Sequence, residues 1–314
     1  MGVMRIGHVC LDVFDVDAAR KHYEEVLGLT TTDIDAAGTV YLKCWDEWDQ
    51  YSVALKPSDR SGLSHFAFKC EHDSDLDRLR RRVADLGIPV REVPKGTLHE
   101  VGRALEIRMP SGPLLYLFAQ KRQLGKAVGT RNPDPWPDGL QGAGVHWLDH
   151  LLLMCEVNLE AGVNTLEGNI RLFMDGLEFH LGEQAMVGPN ADMRAAAFLF
   201  RTTTPHDIAL IGAPRSGLHH LSFFVNEWSD VLRSADILGK RKVKIDVTPQ
   251  RHGITRGSMT YFFDPCGIRN EIFAGLGYLA QPDMPPITWT GDELWRGIFF
   301  HTGEAHEAFT SVYT

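Results

Sequence analysis

The chain has 314 residues, of which 44% are apolar and 23% charged, and its net charge is −9. That length is enough for two domains with separate cores, and the composition is that of an ordinary globular protein. An acidic chain gains nothing from a phosphate backbone, and no apolar run is long enough to span a bilayer, so neither nucleic acid nor membrane is an expected partner.

The first predicted element is a β-rich run over residues 6–13. An amphipathic helix follows over 17–27, stopped by Gly28. Alternating apolar residues predict strands at 39–44 and 65–69, and a second amphipathic helix spans 75–86 before Gly87. A β-hairpin turning at Pro110-Ser111-Gly112 closes this half. Residues 121–144 are rich in Gly, Pro and Asp and read as a linker. The same order then begins again. Strand 150–157 is followed by helix 166–177, strands 195–201 and 220–225, and helix 228–238 before Gly239. A hairpin turning at Pro265-Cys266-Gly267 ends the second half. The tail from about residue 275 carries several prolines and then a helical stretch over 303–312.

The recurrence is also visible residue by residue. Arg60-Ser-Gly-Leu-Ser-His65 matches Arg215-Ser-Gly-Leu-His-His220, an offset of 155. The same offset pairs Pro110-Ser-Gly112 with Pro265-Cys-Gly267, and Tyr116 with Glu271. Near the start, Gly7-His8 matches Asp149-His150 at an offset of 142, so the second copy carries an insertion, expected within 155–215. The chain is therefore read as residues 1–120, a linker at 121–145, and residues 146–314.

Aligned in this way, the second copy offers His150, His220 and Glu271 where the first offers His8, His65 and Tyr116. Two imidazoles and one carboxylate leave octahedral positions open, which suits non-haem Fe(II) binding a substrate and O2 together. A phenol protonated at neutral pH is a poor ligand, so the first copy is expected to be structural and free of metal. A single strand histidine is more often a hydrogen-bonded core residue than a ligand; the triplet reverses that expectation. Glu271, set between apolar residues, needs a cation or another partner. His146 competes with His150, but the repeat aligns His150 with His8, and Trp147 stands where a helical zinc motif needs Glu. Strict strand alternation sends His219 and His220 to opposite faces. Five scattered cysteines without a C-x-x-C pair lend little support to structural zinc or disulfides and fit a reducing cytoplasm. Residues 1–8 show no basic region leading into an apolar stretch, so no secretory signal is expected.

Several stretches resemble one known family. They are Leu148-Asp-His150-Leu-Leu-Leu, Thr204-Pro-His206-Asp-Ile-Ala, Gly217-Leu-His-His220-Leu-Ser-Phe, Arg251-His252-Gly-Ile-Thr and Tyr261-Phe-Phe-Asp-Pro-Cys-Gly-Ile-Arg-Asn-Glu271. Together with the opening Gly2–His8 they resemble the catechol 2,3-dioxygenases, extradiol ring-cleaving enzymes of the vicinal oxygen chelate superfamily. The resemblance covers essentially the whole chain. It implies an α+β fold of two tandem copies of paired βαβββ modules, each copy a curved, partly open β-barrel. It implies Fe(II), with Mn(II) as the lesser alternative, on His150, His220 and Glu271, and active-site roles for His206, His252 and Tyr261. It further implies a catechol-type substrate, O2, a 2-hydroxymuconate semialdehyde product and a homotetramer. Read without the resemblance, His206 is equally a turn cap after Pro205, His252 a solvated loop residue, and Tyr261 a core aromatic. A glyoxalase-like isomerase on the same fold would want a further carboxylate ligand, and a metal-free binding protein would not need the His-His-Glu set.

Overall fold

The protein is described from a computed structural model over residues 2–314. Its first half forms an eight-stranded sheet from β1 (Val3–Val13), β2 (Thr30–Ile34), β3 (Val40–Lys43), β4 (Val53–Pro57), β5 (Gly62–Cys70), β6 (Val90–Val93), β7 (Ala104–Arg108) and β8 (Leu114–Phe118). The strand order is β2-β3-β4-β1-β5-β8-β7-β6. Helix α1 (Val16–His22) follows β1, and α2 (Asp73–Asp85) follows β5. Each βαβββ module thus pairs its first strand in parallel with its last, and two modules join through the antiparallel pair β1–β5. With β2 and β6 left at opposite ends of the path, the sheet curves into a cup that stays open.

The second half repeats this plan. Its strands are β9 (Leu148–Asn158), β10 (Val163–Asn164), β11 (His180–Val187), β12 (Met193–Phe200), β13 (Ile208–Ala213), β14 (Gly217–Val225), β15 (Ile245–Arg251), β16 (Ser258–Phe263) and β17 (Arg269–Ala274). Helices α3 (Thr165–Arg171) and α4 (Trp228–Lys240) follow β9–β10 and β14. The central antiparallel pair is β9–β14, flanked in parallel by β13 and β17. The insertion expected within 155–215 consists of the short β9–β10 hairpin and a longer β11–β12 hairpin. The fold is therefore α+β with two tandem cups: the repeat predicts the duplication, and the resemblance implies the α+β class and the curved, open shape.

The predicted helices form, with two differences. The helix expected over 17–27 is α1 followed by a wider π-helical turn, Tyr23–Leu27, and α3 is followed likewise by Leu172–Gly176. Gly28 ends the first at a φ of +92°, a left-handed conformation that glycine adopts without strain. The tail differs more. It adds β18 (Ile287–Thr290), parallel to β11, and α5 (Leu294–Ile298), and the helix expected over 303–312 shrinks to α6 (Glu307–Ser311). Gly303 has a positive φ, and the Arg269 guanidinium donates to the carbonyls of Ala308 and Val312 at 3.0 and 2.7 Å. Thr314 then pairs with Leu218 in strand fashion, so packing onto β14 ends the helix early.

Helices α1 to α4 lie between the two sheets, and one continuous core joins the halves. Phe68 of β5 meets Phe173 and Phe179 edge-on, and Tyr23 meets Phe223. At the linker end, the amides of Ala143 and Val145 bond to the carbonyls of Val26 and Leu27. Gly142 is pressed so close that a Cβ there would sit 2.4 Å from the Val26 oxygen. At the other end, Lys121 and Gln123 form bridges to Val101 and Asp49, so these residues remain tied to the first sheet.

Candidate functional site

The period of two in a strand decides what the second cup encloses. In β9, Leu151, Leu153 and Cys155 join the core against the helices, which turns His150, Leu152 and Met154 into the cup. In β14, Leu221 and Phe223 face the helices, which turns His220 and Ser222 inward; in β17, Ile272 faces out and Glu271 in. The three polar residues therefore meet on one concave wall. His150 Nε2 lies 3.0 Å and His220 Nε2 3.4 Å from the same atom, Glu271 Oε2. All three ligand atoms lie within 4.8 Å of one another. Glu271 Oε2 is buried and has no hydrogen-bond partner. A buried carboxylate oxygen facing two imidazole nitrogens without a hydrogen bond is a costly arrangement unless a cation sits among them. The donor set thus fits a divalent metal.

Two β-bulges shape this wall. The β9–β14 register slips between Ser222 and Phe223, leaving Asp149 as the extra residue, and between Leu218 and His220, leaving His219 extra. Bulges re-aim side chains next to active sites. Asp149 is aimed at the back of His150, whose Nδ1 lies 2.8 Å from its Oδ2, while Trp147 Nε1 donates to the other oxygen at 3.0 Å. Holding the Nδ1 proton there turns the Nε2 lone pair toward Glu271. His219 meets its neighbour with 2.7 Å between the two Nδ1 atoms, so the alternation expected from the sequence is broken at this bulge.

The electrostatics follow from burial against charge. Burial alone would depress His150, but Asp149 and Glu271 outweigh it and raise the imidazole to about 9. Burial would raise Glu271, yet His150, His252 and His220 hold it well below the usual carboxylate range. Without a metal, a proton on His150 Nε2, 3.0 Å from Glu271 Oε2, takes the cation's place and supplies that oxygen's partner. Burial pushes His206 and His220 well below their ordinary value, so both are neutral at pH 7.

The remaining predicted residues surround the triplet. His206 precedes β13; its ring centre lies 4.1 Å from that of His150, and its Nδ1 has no protein partner. Tyr261 sits opposite Glu271 in the β16–β17 ladder. His252 Nε2 lies 2.9 Å from the Tyr261 hydroxyl and 3.3 Å from Glu271 Oε1, and its Nδ1 donates to the Ile298 carbonyl. His146 lies apart from them, packed on Trp45.

The loop after His252 carries Thr255 and Arg256 at φ values of 62° and 60°. Such strain persists when its surroundings over-determine it. Glu183 provides that here: it accepts from the Thr255 amide at 2.6 Å, Trp289 Nε1 at 2.8 Å and the Tyr278 hydroxyl at 3.0 Å. Sequence reading missed Glu183, Asp149 and the role of His219. For Asp149 a signal existed, its place beside a candidate ligand; for Glu183 none did, because its partners are more than 70 residues away.

The cavity in front of the triplet is otherwise apolar, walled by Leu152, Phe198, Ile254, Phe273, Ile298 and Phe309. The histidines and Tyr261 gather at one end, and among the described residues no lysine, arginine or aspartate lines it.

Comparison with known proteins agrees with this geometry. Residues 63–122 match the catechol 2,3-dioxygenase-like N-terminal domain, and residues 147–272 match the glyoxalase/bleomycin resistance protein/dioxygenase superfamily. The metapyrocatechase of Pseudomonas sp. (strain CF600) is 39% identical, covering 100% of this chain and 99% of its own length. A manganese-dependent 2,3-dihydroxybiphenyl 1,2-dioxygenase of Geobacillus genomosp. 3 is 26% identical, covering 96% and 95%. Among solved structures, the 2,3-dioxygenase LapB from Pseudomonas sp. KL28 superimposes with a TM-score of 0.85 at 34% identity, covering 92% of this chain and 98% of that one. With full-length identity of this order and a His-His-Glu cup of this shape, the chain belongs to the metapyrocatechase (catechol 2,3-dioxygenase) family of metal-dependent extradiol dioxygenases, within the vicinal oxygen chelate superfamily.

Proposed function

We propose that this enzyme opens the ring of catechol or an alkylcatechol beside its diol, using O2 and an Fe(II) held by His150, His220 and Glu271. The observation that carries the reading is the convergence of those three buried side chains at the polar end of an apolar cavity. Iron is preferred to manganese on the resemblance. The relatives divide, one being an iron-dependent extradiol dioxygenase of Rhodococcus jostii and another the manganese-dependent enzyme above. When bound, the ion acidifies a catechol hydroxyl and carries electron density from the ring to O2.

The chain's own residues do the rest. The apolar wall accepts the ring and excludes water. Lacking a cationic side chain, it disfavours catechols bearing a carboxylate. Neutral His206, with an unpartnered ring nitrogen, takes up a proton from the bound diol and returns it to the oxygen side as general acid. Tyr261 stays protonated, since burial and then Glu271 raise its hydroxyl well above the ordinary value. It therefore acts as a donor toward charge developing on the substrate oxygens, with the His252 ring beside it.

Among the described residues no helix is long and apolar enough to cross a membrane, and the five cysteines are free and buried, which suits a reducing cytoplasm. A homotetramer belongs to the same reading and is tested by light scattering. The decisive assay adds catechol in air to protein reconstituted with Fe(II), and in parallel with Mn(II). A yellow ring-cleavage product with equimolar O2 uptake is expected from the ferrous sample. A colourless intradiol product, or no O2 uptake with iron bound, would overturn the reading.

A further inference from the structure

The bulge residue His219 has two neighbours that leave it little freedom. Its Nε2 lies 2.6 Å from the Phe309 carbonyl of α6, and its Nδ1 lies 2.7 Å from His220 Nδ1. A carbonyl oxygen only accepts, so His219 Nε2 carries a proton. A neutral imidazole then keeps its single lone pair at Nδ1. One proton must lie between the two Nδ1 atoms, and it has to come from His220. Protonated at Nδ1, His220 presents a bare Nε2 toward Glu271 Oε2. The reverse assignment sets the His219 Nε2 lone pair against a carbonyl oxygen at 2.6 Å and points an N–H of His220 into the donor set.

We propose that His219 is a positioning residue that fixes the ligating tautomer of His220 by relaying the Phe309 carbonyl. The relay rests on His220 being a metal ligand. It ties the metal centre to the C-terminal segment, which is itself firmly placed. The Phe309 ring packs 4.7 Å from His219, and Arg269 holds the carbonyls of Ala308 and Val312. Thr314 pairs with Leu218 in both directions, at 2.6 and 3.0 Å, one residue before the bulge. The first cup has Ser64 at the equivalent bulge of β5, which cannot serve as such a relay to His65.

The test measures Fe(II) affinity of the full chain by anaerobic chelator competition, with thermal unfolding as a check on folding. His219→Asn places an amide oxygen near the Nδ1 position and keeps the acceptor for His220. His219→Gln keeps a donor near the Nε2 position, toward Phe309, and loses that acceptor. The expected ranking is native affinity within about threefold for Asn and a loss of about 10- to 100-fold for Gln, the usual cost of an outer partner of a metal ligand. A merely structural role predicts the opposite ranking, since Gln preserves the tie to α6; that result, or native affinity in the Gln variant, would overturn the relay. His220→Ala separates the two readings. If it keeps native affinity, the ligand assignment fails; if it loses metal while the ranking is reversed, the relay alone fails. Neutron diffraction from deuterated crystals needs no variant: deuterium on His220 Nδ1 and His219 Nε2 is expected, and deuterium on His219 Nδ1 would refute the relay.

Discussion

The two cups share strand order, helix placement and both bulges, yet they enclose different chemistry. In the second, His150, His220 and Glu271 converge on a point none of them fills. In the first, the corresponding side chains meet protein partners, although His8 Nδ1 has none. His8 Nε2 lies 3.3 Å from His65 Nε2, and the Tyr116 hydroxyl donates to Glu106 at 2.6 Å. The Lys121 ammonium sits 3.3 Å over the Tyr51 ring and donates to the Tyr51 carbonyl. Burial, then Lys121, depresses both His8 and His65. The outer shells differ too. The bulge on β1 leaves Gly7 extra where β9 has Asp149. A Cβ at Gly7 would lie 2.6 Å from the Phe118 ring, so no carboxylate fits behind His8. One backbone plan thus gathers a candidate ligand set in one copy and a lysine among aromatic rings in the other. The difference lies in what stands behind each histidine as much as in the third residue.

The strongest way to break this comparison is Glu271→Gln. Without its carboxylate the second cup offers only the two imidazoles, and metal content and ring cleavage should both fall by about a thousandfold or more. Metal analysis after gel filtration, with O2 uptake, decides it. His206→Ala should keep the native metal content and slow turnover by about 10²- to 10⁴-fold; turnover at the native rate would remove His206 from proton transfer.

Asp149→Asn turns the backing of His150 halfway toward that of His8. It should weaken metal binding by about 10- to 100-fold in chelator competition. An unchanged affinity would mean that the bulge carboxylate is structural.

Acid stability sharpens the contrast between histidines with and without carboxylates. His22, buried in the helix layer with its Nε2 unpartnered, is pushed down by burial to about 4. Between pH 4 and its ordinary value near 6.5, folded protein holds fewer protons there than unfolded chain. Stability therefore rises with pH across that window and is lost on acidification, by ~3 kcal/mol for this group. His150 has the opposite sign: raised to about 9, it stabilises the metal-free protein below pH 6.5, and that contribution is lost as pH rises through 9. Urea unfolding at pH 7 and 4.5 should show a smaller pH dependence for His22→Leu than for the native chain. An equal dependence would place the acid-labile group elsewhere.

Last, Tyr116→Glu restores a carboxylate to the first cup. The expected metal content stays at one per chain, with a stability loss of about 1–3 kcal/mol for an ill-paired buried charge. Two ions per chain would mean that Tyr116 alone separates the cups.

The repeat, the helices with their glycine stops, the two Pro-x-Gly hairpins and the identity of the histidines and Glu271 are all legible in the sequence. Each depends on local periodicity or on spacing carried unchanged between the copies. The π turns, the shortened last helix and β18 are not, because each depends on packing against residues far along the chain. The same holds for the environment of the site. Alternation predicts opposite faces for His219 and His220, and only the register slip against β9 turns one imidazole onto the other. The residues for the centre are thus a property of the sequence. Which nitrogen of each imidazole faces Glu271, which loop holds His252 and what fills the first cup are decided by the tertiary structure, where bulges and distant partners override the period of two.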